Sequence, residues 1–339
     1  MSTDQVAIPA IEGTEAAGGK GLKGSEGGVT DSRSQAIVRA IIVAVIVIWL
    51  VPTVGLLITS LRSQGAIDTS GWWTVFTSLG DTSQWTLDNY RQVLTSGGFD
   101  SAFLNTLIVA VPATVMPITM AAFAAYAFSW MDFPGRHPLF VLVVALLVVP
   151  LQVALIPILR LYAGGPEFDV SWLSPVVGAV TGLDAQTVTV GIPLSLNGTF
   201  LGVWLAHMGF GLPLAIYLLR NFMGSLPSEI IESARVDGAD HFSIFTRLVI
   251  PLSVPALASF VIFQFLWVFN DFLVALIFLG ETAEVRVLTI ALNSLNGQFG
   301  ESWHLLTAGA FVSMVMPVAV FFSLQRFFVR GMTAGAVKG

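Results

Sequence analysis

The sequence predicts an all-α membrane protein with six transmembrane helices, and its composition and patterning lead to this prediction. Of the 339 residues, 55% are hydrophobic and only 11% are charged. Soluble domains carry about 25% charged residues, so this chain has too little polar surface to face water on all sides. The apolar residues also gather in unbroken runs of about 20, the length of a helix that crosses a bilayer. Strands of a transmembrane barrel would give short alternating segments instead.

Six apolar runs define the spans, and the segments between them define the organisation of the chain. Residues 1–35 are polar and rich in glycine, and we expect a disordered cytoplasmic tail there. The six-helix domain covers residues 36–324, with an external loop at 162–199 and a cytoplasmic loop at 221–255. Residues 325–339 form a second cytoplasmic tail. The predicted spans are Ile37–Thr59, Ala102–Trp130, Leu139–Leu161, Phe200–Leu219, Leu257–Leu279 and Leu305–Leu324.

The distribution of Lys and Arg gives the orientation of these spans. With the N-terminus in the cytoplasm, 11 of the 15 basic residues fall on the cytoplasmic side. The four external ones are Arg62, Arg91, Arg160 and Arg286. Because Lys and Arg are enriched in cytoplasmic loops, this count places both the N-terminus and the C-terminus in the cytoplasm.

Two external segments are long, and both contain tryptophan. The relevant residues are Trp72, Trp73 and Trp85 in the first, and Trp172 in the second, where Thr187–Ile192 could also form a short strand. Tryptophan is enriched at membrane interfaces, so these side chains could anchor the chain there. They could equally form a docking surface for an external partner, and the sequence leaves both interpretations open.

The sequence shows no sign of catalytic or metal chemistry. There is no cysteine. The four histidines, His137, His207, His241 and His304, lie on different segments, and no pair has the spacing of a zinc-binding helix. We find no phosphate-binding loop and no nucleophile–base set. The chain is therefore expected not to be an enzyme, to bind no cofactor or metal, and to take its energy from a partner.

Two adjacent polar residues, Asn270 and Asp271, interrupt the fifth apolar run. A carboxylate at membrane depth costs at least a few kcal/mol unless it faces a cavity or a partner. The pair could contact a translocation pathway or a second subunit, or it could hold the bundle together by an interhelical hydrogen bond.

Proline residues interrupt the third run at Pro150 and Pro157, with Gln152 between them. Proline removes a backbone hydrogen bond and kinks a helix, and such a kink can turn polar groups towards a pathway. Gln152 is then the best candidate for a pathway-facing side chain. A static kink that serves only packing is the alternative.

The cytoplasmic loop at 221–255 carries a compact helical pattern. Ser225 can cap a helix, and Gly238 can end it in the left-handed conformation that glycine tolerates. A second short helix follows, and prolines lead into the fifth span. The loop is expected to dock into a groove of another protein, although packing on its own bundle would explain the same pattern.

One motif in this loop resembles the coupling loop of ABC-importer permeases, and its residues are Glu232, Ser233, Ala234, Asp237 and Gly238. Ser233 stands where that family has the middle alanine of a Glu-Ala-Ala triplet, which is a small-for-small change. The resemblance implies that the loop fits a cleft on an ATPase subunit and transmits closure of the ATPases to the spans.

Three further stretches resemble the carbohydrate branch of that family, the maltose and α-glucoside permeases. They are Val149–Gln152, Phe269–Leu276 and the C-terminal end, Gln325–Gly339. Phe269 stands where the family usually has Trp. In the tail, the resemblance implies that Gln325, Gly335 and Lys338 lie at the interface with the ATPases.

The resemblance implies a permease subunit of an ATP-driven sugar importer in a bacterial cytoplasmic membrane. Its partners would be a second homologous permease, two ATP-binding cassette ATPases that hold ATP and magnesium, and an extracytoplasmic sugar-binding protein. No nucleic acid is expected to bind. The substrate would be maltose, trehalose or another α-glucoside or oligosaccharide. The alternative is an ion-coupled secondary transporter, for which Asp271 is the one acidic residue near the midplane.

Overall fold

The computed structural model describes residues 32–78, 80–95, 98–164, 167–169, 174–181, 189–191, 195–298 and 302–336. In chain order the helices are α1 (Ser32–Ser60), α2 (Gln64–Thr69), α3 (Asp88–Thr95), α4 (Phe99–Trp130), α5 (Arg136–Leu146), α6 (Leu151–Gly164), α7 (Ser174–Thr181), α8 (Phe200–Met223), α9 (Ser228–Val236), α10 (His241–Ile244), α11 (Ile250–Leu252), α12 (Val254–Phe269), α13 (Leu273–Phe278), α14 (Leu288–Gln298) and α15 (Trp303–Ala336). Two short strands, β1 (Glu167–Asp169) and β2 (Thr189–Gly191), pair antiparallel between α6 and α8. The chain divides into two units, Met1–Thr53 and Val54–Gly339. The described residues of the first unit are 32–53, and they all belong to α1.

The described helices account for four to six membrane spans. Among the described residues, four helices are long and apolar enough to cross a bilayer, and they coincide with the first, second, fourth and sixth predicted runs. Two further spans follow if each of two bent helix pairs is counted as one. These pairs are Arg136–Leu146 with Leu151–Gly164, bent by 102°, and His241–Leu252 with Val254–Phe269, bent by 72°.

The third predicted span is not one straight helix. The chain leaves α5 at Leu146 and starts α6 at Leu151, and Pro150 lies immediately before this restart. Proline restricts the residue before it to extended backbone and cannot donate to the preceding turn, so the helix ends there. A run of apolar residues shows no such break, because periodicity does not report the direction of the axis.

The fifth predicted span is also broken. Helix α12 ends at Phe269, and α13 begins only at Leu273. The Asn270 side chain donates to the Leu266 carbonyl (2.8 Å), and the Asp271 carboxylate accepts from the Ala275 N–H (3.0 Å). The Leu266 carbonyl also keeps its helical bond to the Asn270 N–H (3.2 Å). The Asp271 carboxylate, in contrast, takes the Ala275 N–H that a continuous helix would bond to the Asp271 carbonyl.

The observed helix ends also shift two predicted boundaries. Helix α1 begins at Ser32, four residues inside the tail predicted for 1–35, and residues 1–31 lie outside the described part. Helix α15 continues to Ala336, so most of the tail predicted for 325–339 is helical. β2 lies within Thr187–Ile192, where the sequence allowed a strand; the rest of that run is outside the described residues.

Helix α4 packs along α8 and α12, and its two internal prolines create a local problem of hydrogen bonding. Pro112 has no N–H for the Ile108 carbonyl, four residues earlier, and the Trp204 indole of α8 donates to that oxygen instead (2.8 Å). Because lipid offers no hydrogen bonds, a freed carbonyl in a span needs such a donor from a neighbouring helix.

A side chain of α12 donates the hydrogen bond that is lost at the second proline of α4. Pro117 frees the Ala113 carbonyl, and the fully buried Gln264 amide donates to it at 3.2 Å. The Gln264 side chain fits only because residue 211 of α8 is glycine: a Cβ there would lie 2.6 Å from the amide nitrogen. The two prolines therefore join α4, α8 and α12 through hydrogen bonds.

The Trp204–Ile108 hydrogen bond can be tested by a double-mutant cycle. Trp204→Phe keeps a ring but removes the indole N–H, so we expect the free energy of unfolding in detergent to fall by about 1 kcal/mol. Pro112→Ala supplies an N–H for the same carbonyl. The Trp204 substitution should then cost clearly less in the Pro112→Ala background, and equal costs in both backgrounds would contradict this account.

Candidate functional site

The segment from Met223 to Val254 folds as a knob of short helices, which we call the loop knob. Helix α9 follows Pro227 and ends at Val236. Gly238 takes a left-handed backbone (φ +83°), and the Ala239 N–H returns to the Ala234 carbonyl at 2.9 Å. This glycine closes the helix as the sequence predicts, because an L side chain at that position would be strained.

Helix α10 starts with a polar cap. The Asp240 carboxylate accepts from the Ser243 N–H at 3.0 Å. The side-chain and backbone hydrogen bonds of Ser243 hold the pKa of the Asp240 carboxyl below its usual range. The carboxylate thus stays ionised at the start of the helix, where negative charge is favourable. A π-helical turn, Phe245–Val249, then leads into α11.

One face of the loop knob is buried on the spans and the other is exposed. Ile231, Ile244 and Val249 are buried in a cluster with residues of α4 and α8. Val236 is 87% exposed and Phe242 is 64% exposed. The loop therefore packs on its own bundle through one face, and still presents large apolar side chains outwards.

The predicted coupling residues come together on the exposed face. Glu232, Ser233, Asp237 and Gly238 are exposed, and Ala234 is half-buried. A shallow depression on this face is lined by Glu229, Glu232, Ser233, Val236 and Asp237. The Ser233 hydroxyl donates to the Glu229 carbonyl at 2.6 Å, so the polar group that replaces the family's alanine is satisfied within its own helix. The outer surface thus combines acidic side chains with an apolar centre.

The loop knob is tied to the end of α4 by hydrogen bonds that the sequence does not reveal. The Arg235 guanidinium donates to the Trp130 carbonyl at 2.8 Å. The Tyr126 hydroxyl and the His241 Nδ1 lie 2.9 Å apart. The Phe123 ring stacks on Phe245 with centroids 4.7 Å apart. Contacts from α9, α10 and the π-helical turn therefore all converge on the last two turns of α4.

Arginines satisfy the terminal carbonyls of α4, which have no helical partner. Arg136 donates through Nε to the Phe128 carbonyl (2.8 Å) and through Nη2 to the Ser129 carbonyl (3.1 Å), and Arg235 serves Trp130. The positive charges also complement the negative end of the helix dipole. A basic residue just after a predicted helix end is the one sequence signal that could have indicated Arg136. Arg235 is 105 residues away from its acceptor and gives no such signal.

The predicted pathway residues occupy different environments. Asn270 is exposed, whereas Asp271 is half-buried, with one carboxylate oxygen 3.7 Å from His207 Nε2. The Asp271 carbonyl accepts from the Thr289 hydroxyl at 2.7 Å, which links the break after α12 to α14. Gln152 lies exposed in the first turn of α6. The three predicted residues therefore differ in burial and in their hydrogen-bond partners.

The predicted tail residues lie in the C-terminal part of α15 or beyond its end. Gln325 and Gly335 belong to this helix, and Lys338 lies outside the described residues. Within the described part of the chain, no group of three or more histidine or acidic side chains could hold a metal ion.

Comparison with known proteins gives one family. Residues 117–334 match the family described as "Binding-protein-dependent transport system inner membrane component". The chain is 55% identical over 297 residues to the osmoprotective compounds uptake permease protein GgtD of Synechocystis. This alignment covers 88% of this chain and 90% of that protein. It is 54% identical over 265 residues to the alpha-glucoside transport system permease protein AglG of Rhizobium meliloti. This second alignment covers 78% of this chain and 63% of that protein.

A solved structure shares the fold. It is a chain in the crystal structure of a bacterial ABC transporter involved in the import of the acidic polysaccharide alginate, with a TM-score of 0.60 and 20% sequence identity. The alignment covers 88% of this chain and 97% of that chain. The fold described above therefore also occurs in that transporter.

The link between the loop knob and α4 makes a prediction about local stability. Arg235→Met keeps much of the side-chain stem but leaves the Trp130 carbonyl without its donor. We expect faster amide hydrogen exchange, measured by mass spectrometry, in peptides that cover α9. Arg247→Met changes an exposed arginine of the same loop and serves as the control. Unchanged exchange in α9 of Arg235→Met would show that this hydrogen bond does not hold the loop.

Proposed function

This chain belongs to the family of binding-protein-dependent transport system inner membrane components, and from that premise we propose that it is the permease subunit of an ATP-driven sugar importer. The chain forms half of the translocation pathway and carries out no chemistry itself. The observation that carries this proposal is the loop knob, whose outer face exposes Val236 and the coupling motif and whose inner face is bonded to α4. A surface of this kind suits a protein that transmits movement.

The proposed mechanism is alternating access driven from the cytoplasmic side. Two partner ATPases bind ATP and magnesium, and their closure displaces the loop knob. The displacement passes to α4 through Arg235 and the Tyr126–His241 contact. Because α4 is bonded to α8 and α12, the three helices move together, as in rigid-body transitions between packed elements.

The proposed substrate is a neutral glycoside. Relatives of high identity are named for uptake of osmoprotective compounds and for alpha-glucoside transport. The second name supports an α-glucoside. The resemblance of the C-terminal end and the fifth span supports maltose, trehalose or another α-glucoside. A sugar-binding protein outside the membrane delivers it, and a second permease supplies the other half of the pathway.

The proposed topology has six spans, with each bent pair counted as one, and both termini in the cytoplasm. The four straight helices and two bent pairs supply this number, and the distribution of Lys and Arg supplies the direction. The loop knob then faces the cytoplasm, where the ATPases are. The ion-coupled alternative has less support, because the Asp271 carboxylate is already occupied as the cap of α13.

The ATPase-docking role of the loop knob can be tested with two matched substitutions. Val236→Asp places a charge on the exposed face of the loop knob. We expect the amount of ATPase that co-purifies with the tagged chain to fall at least roughly tenfold. Burying an unpaired charge costs more than about 1.4 kcal/mol, which corresponds to a tenfold change in affinity. Val176→Asp makes the same change at a valine of α7 that is 58% exposed. Because α7 lies on the proposed external side, this control should retain its ATPase. Full ATPase recovery with Val236→Asp would contradict the proposed docking surface.

The topology can be tested by thiol labelling, because the chain has no cysteine of its own. Asp132→Cys lies between α4 and α5, and Glu281→Cys lies after α13; both positions are exposed. A membrane-impermeant maleimide added to spheroplasts should label Glu281→Cys and should label Asp132→Cys only after permeabilisation. The reverse pattern would invert the proposed orientation.

A further inference from the structure

A cavity of about 430 Å³ lies in the elbow between α5 and α6, and it is closed on the other side by α8 and α12. Its volume falls in the range of about 300–1,000 Å³ that is usual for small-molecule sites. Aliphatic side chains of the elbow form one wall, and Gly209 and Phe210 of α8 form another. Helix α12 contributes the polar side chain of Gln264 and the aromatic ring of Trp267 to the lining.

Gln264 is the polar group at this cavity. Its side chain is fully buried, and its Nε2 donates to the Ala113 carbonyl that Pro117 leaves free. This bond fixes the direction of the amide, because only the nitrogen can donate. The Gln264 Oε1 consequently points away from Ala113 and finds no donor among the described residues. A buried acceptor without a donor is unfavourable, and a ligand hydroxyl that reaches Oε1 supplies the missing donor.

The lining of the cavity selects for a neutral ligand. None of the described residues that line it is ionisable. A charged ligand would stay unpaired within the membrane-spanning segments, at a cost of several kcal/mol. The Trp267 ring is held edge-on to His207, with centroids 5.5 Å apart. An aromatic ring in this position offers an apolar surface on which the C–H face of a sugar ring can pack.

We propose that this cavity is a substrate subsite within this chain, which binds one ring of a neutral glycoside. Gln264 Oε1 accepts a hydrogen bond from a sugar hydroxyl, and Trp267 packs on the C–H face of the ring. The proposal rests on the proposed function as a sugar importer, and it deepens that function by assigning two side chains that recognise the substrate. It also accounts for Gly211, which keeps the space that the Gln264 amide occupies.

The absence of cysteine from the sequence allows a direct test at Gly209. A Cβ at this glycine meets nothing within 4 Å, so Gly209→Cys places a thiol in the cavity without a clash. The variant is assembled with its permease, ATPase and binding-protein partners in proteoliposomes. The rate of its alkylation by N-ethylmaleimide is measured during turnover with maltose, with trehalose and without sugar. Leu218→Cys, nine residues further along α8 on the opposite, exposed face, is the matched control.

We expect a transported sugar to slow alkylation of Gly209→Cys about tenfold and to leave Leu218→Cys unchanged. Equal rates with and without sugar would overturn the subsite. A rate at Gly209→Cys that is negligible in both conditions would also overturn it, because a lipid chain would then fill the cavity permanently.

A second variant tests Gln264 by transport kinetics. Gln264→Leu keeps the size of the side chain but removes both the acceptor and the donor to the Ala113 carbonyl. We expect the KM for sugar uptake to rise about tenfold. An unchanged KM would exclude the hydrogen bond. If Gln264→Leu does not assemble, the labelling of Gly209→Cys decides the matter alone.

The outcomes separate the subsite from the proposed function. If the unaltered complex takes up sugar with binding-protein-stimulated ATP hydrolysis, but neither variant responds, the subsite is wrong and the importer stands. If the unaltered complex binds no ATPase and takes up none of the sugars, the proposed function fails, and the subsite fails with it.

Discussion

The need to give every backbone carbonyl in the spans a hydrogen-bond donor explains much of this structure. In lipid no water can replace a missing donor, so each carbonyl freed by a proline must be served from a neighbouring helix. In α4 this happens twice, where Trp204 serves Ile108 and Gln264 serves Ala113. The same helix ends in carbonyls that two arginines complete. Residues that would be lone polar groups in a hydrophobic helix thus become the links between α4, α8 and α12.

Through these hydrogen bonds, α4 contacts both the loop knob and the helices that line the cavity. Its C-terminal end is bonded to the loop knob through Arg235, and its middle is bonded to α8 and α12 near the cavity. A packed group of helices with specific hydrogen bonds responds to force as a unit, since interfaces of this kind change between discrete arrangements. Movement of the loop knob is therefore expected to reach Gln264 and the cavity through one continuous helix.

The sequence predicts the elements of this protein better than their breaks. Apolar runs locate the spans because burial in lipid demands about 20 apolar residues, whatever the path of the chain. The prolines of the third run predict a kink but not its angle of 102°. The run around Asn270 and Asp271 stays apolar overall and hides the break after Phe269. Arg62 shows the same limit: as an external arginine it suggests solvent, yet it is 1% exposed and donates to the Ser70 carbonyl at 3.0 Å.

The residues of the candidate site likewise divide into those that the sequence could indicate and those that it could not. The coupling motif could be recognised because its residues lie within seven positions of one helix and its cap. The donors that fix the loop knob and the cavity could not, because Arg235 and Gln264 find their acceptors 105 and 151 residues away. Gln152 stays a predicted pathway residue and is exposed in the first turn of α6. Gln264 of α12, which the sequence does not single out, lines the cavity.

The most direct test of the central claim is the mass of the intact complex, purified in mild detergent from its native membrane and measured by native mass spectrometry. The account predicts one copy of this chain with one second permease and two copies of an ATPase, and loss of the ATPases when the loop knob is altered. A monomer or homo-oligomer that carries no ATPase, obtained reproducibly, would contradict it.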